Sequence, residues 1–195
     1  MTDHLSTEKD KKTAPARSYG SRAIVLVGIM GAGKSSVGRR LADVLGKRFF
    51  DSDDEIVKAA NRSIPDIFEE LGEDEFRRGE QRVIARLLDE PDIVLATGGG
   101  AFMNAETRTL IREKAVSVWL KADLDVLWKR VSRKSGRPLL NAPNPKKVLT
   151  DLLADREPVY AEADIVVKSG EGPLADTVNA ILKALKNNDA RRACE

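Results

Sequence analysis

The chain reads as an α/β protein built on a doubly wound parallel sheet, and three observations predict this. Five short apolar runs, at Ala23 to Val27, Arg48 to Phe50, Ile93 to Ala96, Val116 to Leu120 and Ile165 to Val167, alternate with segments of helical periodicity. Such alternation implies parallel strands joined by crossover helices, with helices on both faces of the sheet. The first three runs are followed by a glycine-rich turn, an acidic cluster and a glycine triplet, in the loops where such folds bind ligands. Length and composition agree: 195 residues, 42% hydrophobic and 33% charged, suit one enzyme-sized core with a well-solvated surface.

Residues 1–21 are polar and read as a disordered N-terminal tail, ahead of a single domain over 22–187 and a polar C-terminal tail over 188–195. Asp3, Glu8 and Asp10, with no apolar core segment, argue against a secretory signal or a transit peptide. No apolar run approaches the roughly 20 residues of a membrane helix. The 33 basic and 31 acidic residues are interspersed, so neither nucleic acid nor a membrane surface is an expected partner. Cys194, the sole cysteine, can form no internal disulfide, and a cytoplasmic location is the simplest expectation. The single His4 lies in the tail, which removes histidine catalysis from consideration.

Gly28 to Ser35 read G-I-M-G-A-G-K-S, a phosphate-binding loop between the first strand and a helix carrying Val37, Leu41, Val44 and Leu45. Its glycines let successive backbone N–H groups point at one anion, while the start of the helix adds the positive end of its dipole. Lys34 can reach the β- and γ-phosphates of a nucleoside triphosphate, and Ser35 offers a hydroxyl to Mg²⁺. The second strand runs into Asp51-Ser52-Asp53-Asp54. Acids facing a phosphate loop suit Mg²⁺ binding and proton acceptance in phosphoryl transfer, although Ser52 or Asp53 also suits capping of the next helix.

Ser63 with Pro65 signals a helix start, and Gly72 closes that short helix. The following helix, Glu73 to Asp89, carries the most discriminating pattern. Phe76, Val83, Ile84, Leu87 and Leu88 form one stripe, and Arg78, Arg82 and Arg86 form a solvated face. Arg77 and Glu80 project into or beside the apolar stripe, so they must pair at their i, i+3 spacing or meet a charged ligand. Thr97-Gly98-Gly99-Gly100 ends the third strand with exposed N–H groups open to close approach. Asp123 is placed to cap the helix of Leu124, Leu127, Trp128 and Val131. Arg133 to Pro145, with three prolines and one glycine, reads as a functional lid.

In order along the chain stand G-x-x-G-x-G-K-S at Gly28 to Ser35, D-S-D at Asp51 to Asp53, G-E-x-x-F-R-x-x-E at Gly72 to Glu80 and T-G-G-G at Thr97 to Gly100. R-P-L-L at Arg137 to Leu140 and R-x-P-x-Y at Arg156 to Tyr160 complete the series. This ordered set, spanning about Ala23 to Leu185, resembles the shikimate kinase family. The resemblance implies a three-layer P-loop kinase fold, like that of the nucleoside monophosphate kinases, with a central five-stranded parallel sheet, a lid and a substrate-binding helical region. It implies transfer of the γ-phosphoryl group of ATP, with Mg²⁺, to the 3-hydroxyl of shikimate on the route to the aromatic amino acids, by a monomer.

By position, the ATP phosphates would rest on Gly31, Ala32, Gly33, Lys34, Ser35 and Ser36, with Arg137 reaching them from the lid. Asp53 would bind the acceptor hydroxyl and act as its base, and Asp51 would hold Mg²⁺ with Ser35. Arg77 and Arg156 would clamp the shikimate carboxylate, and Gly98, Gly99 and Gly100 would close the pocket through backbone N–H groups. Adenine contacts are expected near Val167 to Gly170. A kinase for another polyol acid such as gluconate shares the loop and sheet, but the two arginines, Asp53 and the glycine triplet favour shikimate. A non-catalytic homologue would be expected to lose Lys34, Asp53 or a clamp arginine, and all are present. A GTPase is disfavoured because no N-K-x-D motif occurs.

Overall fold

The computed structural model describes residues 22–133 and 143–192. In chain order the elements are β1 (Ala23–Val27), α1 (Lys34–Leu45), β2 (Arg48–Asp51), α2 (Ser52–Ala60), α3 (Ile64–Leu87) and β3 (Ile93–Ala96). There follow a 3₁₀ turn (Ala101–Met103), α4 (Ala105–Lys114), β4 (Ala115–Lys121), α5 (Leu124–Val131), α6 (Pro145–Tyr160), β5 (Ile165–Lys168) and α7 (Leu174–Arg192). All five apolar runs are strands, and they form one parallel sheet in the order β2-β3-β1-β4-β5.

The central strands explain the continuous apolar runs. Every residue of β1 and β3 is buried, as strands covered on both faces require. The edge strand β5 instead alternates buried and exposed residues. Helix α1 packs on β3 and touches α7, which lies on β5, while α4 packs on β4 and touches α3. Leu41, Ile84, Leu127 and Ile181 deliver fully buried side chains from four of the helices. Each such side chain contributes roughly 1.5–3 kcal/mol through removal from water. A second, smaller apolar cluster of Ile56, Ile67 and Phe76 joins α2 to α3, so this helical region has its own packing centre beside the sheet.

Local signals in the sequence mostly hold. Ser63 caps α3 by accepting from the Asp66 N–H, with Pro65 in the first turn. Gly72, at φ 79° and ψ 172°, breaks α3 into a short and a long helix, a conformation that costs a side-chain-bearing residue strain. Three expectations change. Asp51, rather than Ser52 or Asp53, caps α2, because its carboxylate already sits at the strand end where the Asp53 N–H is presented. Asp123 stands at the N-cap of α5 but makes no capping bond; its carboxylate pairs with Lys168 at 3.1 Å. Helix α7 runs to Arg192, past the expected boundary at 187, since an established helix gains one hydrogen bond for each further residue. Residues 1–21 and 134–142, and with them Arg137 and most of the expected lid, lie outside the described residues.

Candidate active site

The carboxyl ends of β1, β2 and β3 are brought level by the register Leu26 to Ala96 and Asp51 to Ala96. Their three following loops line one cleft of about 740 Å³, shared with Arg130, Arg133, Ser169 and Gly170 from the far side. This is the crevice at the point where strand order reverses, where doubly wound folds bind ligands.

The donor side is the phosphate loop. Gly33 occupies the left-handed region at φ 95° and opens α1, so the loop turns directly into the helix start. Gly28 and Gly31 also have positive φ, and a Cβ on Gly28 would stand 2.9 Å from the Leu120 carbonyl and 3.3 Å from Trp119 Cδ1. Lys34 is buried, and its ammonium donates to the carbonyls of Gly28 at 2.6 Å and Ile29 at 3.0 Å. Ser35 Oγ donates to Asp51 Oδ2 at 2.6 Å, which brings the two expected Mg²⁺ ligands together. Gly31, Gly33, Lys34, Ser35 and Ser36 all line the cleft, and Ala32 is buried beneath it.

Arg130 was not foreseen. From α5 it donates to the carbonyls of Gly31 and Ala32 at 3.3 and 3.4 Å, to Ser169 Oγ at 3.2 Å and to the Gly170 carbonyl. It thereby ties the phosphate loop to the loop after β5. The one available signal was its place beside Leu127 and Val131, flanking the buried face of α5. Ser169 and Gly170, where adenine contacts were expected, do reach the cleft.

The acceptor side is assembled from four separate elements. Asp53 opens α2 and lines the cleft; burial, followed by the charge of Asp51, raises its pKa, while Lys34 and Arg77 act in the opposite direction. Arg77 donates to Glu80 Oε2 at 2.8 Å and to Glu73 Oε1 at 3.1 Å, so the expected i, i+3 pair exists. Glu80 is 3% exposed, burial raises its pKa against the pull of Arg77, and its Oε1 is buried with no hydrogen-bond partner among the described residues. The predicted solvated face is also present, with Arg78, Arg82 and Arg86 side chains mostly exposed.

Arg156, from α6, donates to the Gly99 carbonyl at 3.2 Å, and the Tyr160 hydroxyl donates to the same oxygen. Tyr160 is buried, its phenol pushed up to about 12 by that burial, and its ring stacks on Trp119 with centroids 5.9 Å apart. One expectation is corrected here. The Gly98 N–H already donates to the fully buried Ser52 Oγ at 2.9 Å and is not free for a ligand, because the start of α2 lies against this turn.

Comparison with known proteins decides the family. The shikimate kinase family model matches residues 30–186. The chain belongs to the shikimate kinase family. A shikimate kinase of Caulobacter vibrioides is 62% identical over 177 residues, covering 91% of this chain and 87% of the relative. One from Rhodopseudomonas palustris is 55% identical over 168 residues, covering 86% and 83%. Among solved structures, the shikimate kinase of Acinetobacter baumannii in complex with shikimate superposes with a TM-score of 0.82 at 40% identity, covering 86% of this chain and 94% of that one. Family membership carries a P-loop kinase fold and an ATP-dependent kinase activity, in accord with the parallel sheet and the phosphate loop.

Proposed function

We propose that this chain transfers the γ-phosphoryl group of ATP to the 3-hydroxyl of shikimate. The observation that carries the reading is the position of Asp53. It lines the same cleft as Lys34 and Ser35, yet it also belongs to a charged cluster with Arg77, Glu80 and Arg156. A proton acceptor thus lies between a phosphate-binding loop and two guanidinium groups suited to a carboxylate. Burial and the neighbouring charge of Asp51 raise the pKa of Asp53, which makes its ionised form a stronger proton acceptor.

In the mechanism, the N–H groups of Gly31 to Ser36 hold the ATP phosphates, and Lys34 leaves its loop carbonyls for the β- and γ-phosphate oxygens. Arg137, expected from the family resemblance, adds charge to the same oxygens. Asp53 orients the acceptor hydroxyl and takes its proton as the oxygen attacks the γ-phosphorus and the bond to the β,γ-bridging oxygen breaks to release ADP, while Arg77 and Arg156 fix the far end of the acceptor. A loose phosphoryl-transfer transition state spreads charge over the γ-phosphate oxygens, so these fixed cations supply most of the stabilisation. Ser35 Oγ and Asp51 Oδ2 fit Mg²⁺, a hard cation that needs only one or two protein oxygens beside substrate phosphates. When bound there, Mg²⁺ neutralises charge on the β- and γ-oxygens. No helix among the described residues is long and apolar enough to cross a membrane. A monomeric, cytoplasmic enzyme without nucleic-acid or membrane partners accords with the balanced charge.

The test is an ADP-release assay with shikimate, gluconate and a nucleoside monophosphate offered in parallel. Turnover should require shikimate. Turnover with gluconate alone would overturn the acceptor assignment, and silence with all three acceptors would favour a non-catalytic homologue.

A further inference from the structure

Gly98, Gly99 and Gly100 do not owe their identity to backbone freedom, since none of the three has a positive φ, unlike the phosphate-loop glycines. The property shared by Gly98 and Gly100 is lack of room. A Cβ on Gly98 would stand 2.6 Å from Glu80 Oε1 and 2.9 Å from Asp53 Oδ1. One on Gly100 would stand 2.6 Å from both terminal nitrogens of Arg77 and 2.7 Å from its Cζ. The space is filled by the protein's own charged groups.

We infer that Gly98 and Gly100 are positioning residues: Gly98 seats the carboxylates of Asp53 and Glu80, and Gly100 seats the guanidinium of Arg77. The inference rests on the reading that these side chains handle the acceptor. Arg77 cannot simply swing aside from a new methyl group, because Glu73 and Glu80 hold two of its nitrogens. Nor can the glycine segment retreat freely. Its middle carbonyl, on Gly99, accepts from both Arg156 and Tyr160, and the Gly98 N–H is tied to Ser52. The segment is therefore a pinned backbone against which the acceptor-binding side chains are set, and the absent methyl groups determine where those side chains rest.

A four-protein cycle of the unsubstituted chain, Gly100→Ala, Arg77→Ala and the double variant tests this. Gly100→Ala should raise the shikimate KM about tenfold, within the coupling known for residues in contact, while the ATP KM stays nearly constant. In the Arg77→Ala background the same methyl group should add little, since the group it displaces is gone. An equal KM increase in both backgrounds would show that Gly100 serves the ligand directly and would overturn the seat. So would an unchanged KM in Gly100→Ala.

Melting temperatures of the same four proteins judge the seat independently of catalysis. A loss in Gly100→Ala that is recovered in the double variant supports it, and equal losses in both backgrounds refute it. If Gly100→Ala does not fold, folding of the double variant supports the seat and its failure counts against it. An unaltered KM in Arg77→Ala, by contrast, would strike the acceptor reading, with the melting cycle still deciding the seat. Gly98→Ala should lower kcat more than it alters KM; a pure KM effect would remove the carboxylates from its assignment.

Discussion

The two halves of the cleft satisfy their charges in opposite ways. On the donor side, Lys34 and Arg130 donate to backbone carbonyls of the phosphate loop and its neighbours, so each cation is met by peptide groups. On the acceptor side, two carboxyl groups of raised pKa, Asp53 and Glu80, crowd around Gly98, and one Glu80 oxygen has no hydrogen-bond partner among the described residues. The donor half meets its charges with peptide dipoles. The acceptor half sets two buried carboxyl groups close together beside Arg77, and that crowding gives up stability for chemistry.

Three substitutions probe that contrast, beginning with the largest effect. Lys34→Met should lower kcat by about a thousandfold, the scale for removing one preorganised charge from a transition state, with the circular dichroism spectrum unaltered. A fall of only a few-fold would mean that the donor half does not depend on this cation.

Asp53→Asn should lower kcat by about a hundredfold, at the lower end of the range for losing a general base. It should also stabilise the fold at neutral pH. The sign follows from the raised pKa: the folded state binds the proton more tightly than the unfolded chain, so the carboxyl group lowers stability as pH rises from the ordinary aspartate value of 3.8 through its higher folded value. The asparagine variant lacks that loss. Its melting temperature should exceed that of the unsubstituted chain at pH 7, and the gap should close near pH 4. A gap that widened on acidification would remove the claim of a strained acceptor half.

The smallest effect is expected outside both halves. Gly79 lies within α3, where an added Cβ would meet nothing within 4 Å. Gly79→Ala should therefore stabilise the protein by about 1 kcal/mol through helix propensity alone, with kcat and both KM values unchanged. Denaturant unfolding checks this, and a destabilised variant would mean that the long arm of α3 needs a flexible point.

The same contrast governs what could be read from the chain. The phosphate loop was legible because its parts are contiguous, and the strands because burial on both faces leaves uninterrupted apolar runs. Arg77 and Glu80 were legible for a different reason: a charge projected onto an apolar stripe contradicts the helical pattern and demands an explanation. Arg130 left almost no trace, since its partners are carbonyl groups far away in sequence, and any residue supplies a carbonyl. The purpose of the triple glycine was likewise hidden. Its N–H groups suggested a ligand, whereas the atoms that exclude a side chain come from α2 and α3, which no local spacing reveals. The Asp123 cap was misread because the competing cation, Lys168, enters from β5.

Trp119 gives the molecule a built-in optical probe. Its indole lies beside Gly28 at the root of the phosphate loop and is stacked on Tyr160, whose hydroxyl holds the Gly99 peptide. One chromophore thus borders the phosphate loop along one edge and the acceptor side through its stacked face, so its emission should change when either ligand arrives. With Trp128 replaced by phenylalanine, the chain would carry a single tryptophan, and excitation selective for indole could follow the order in which the two ligands bind without any label.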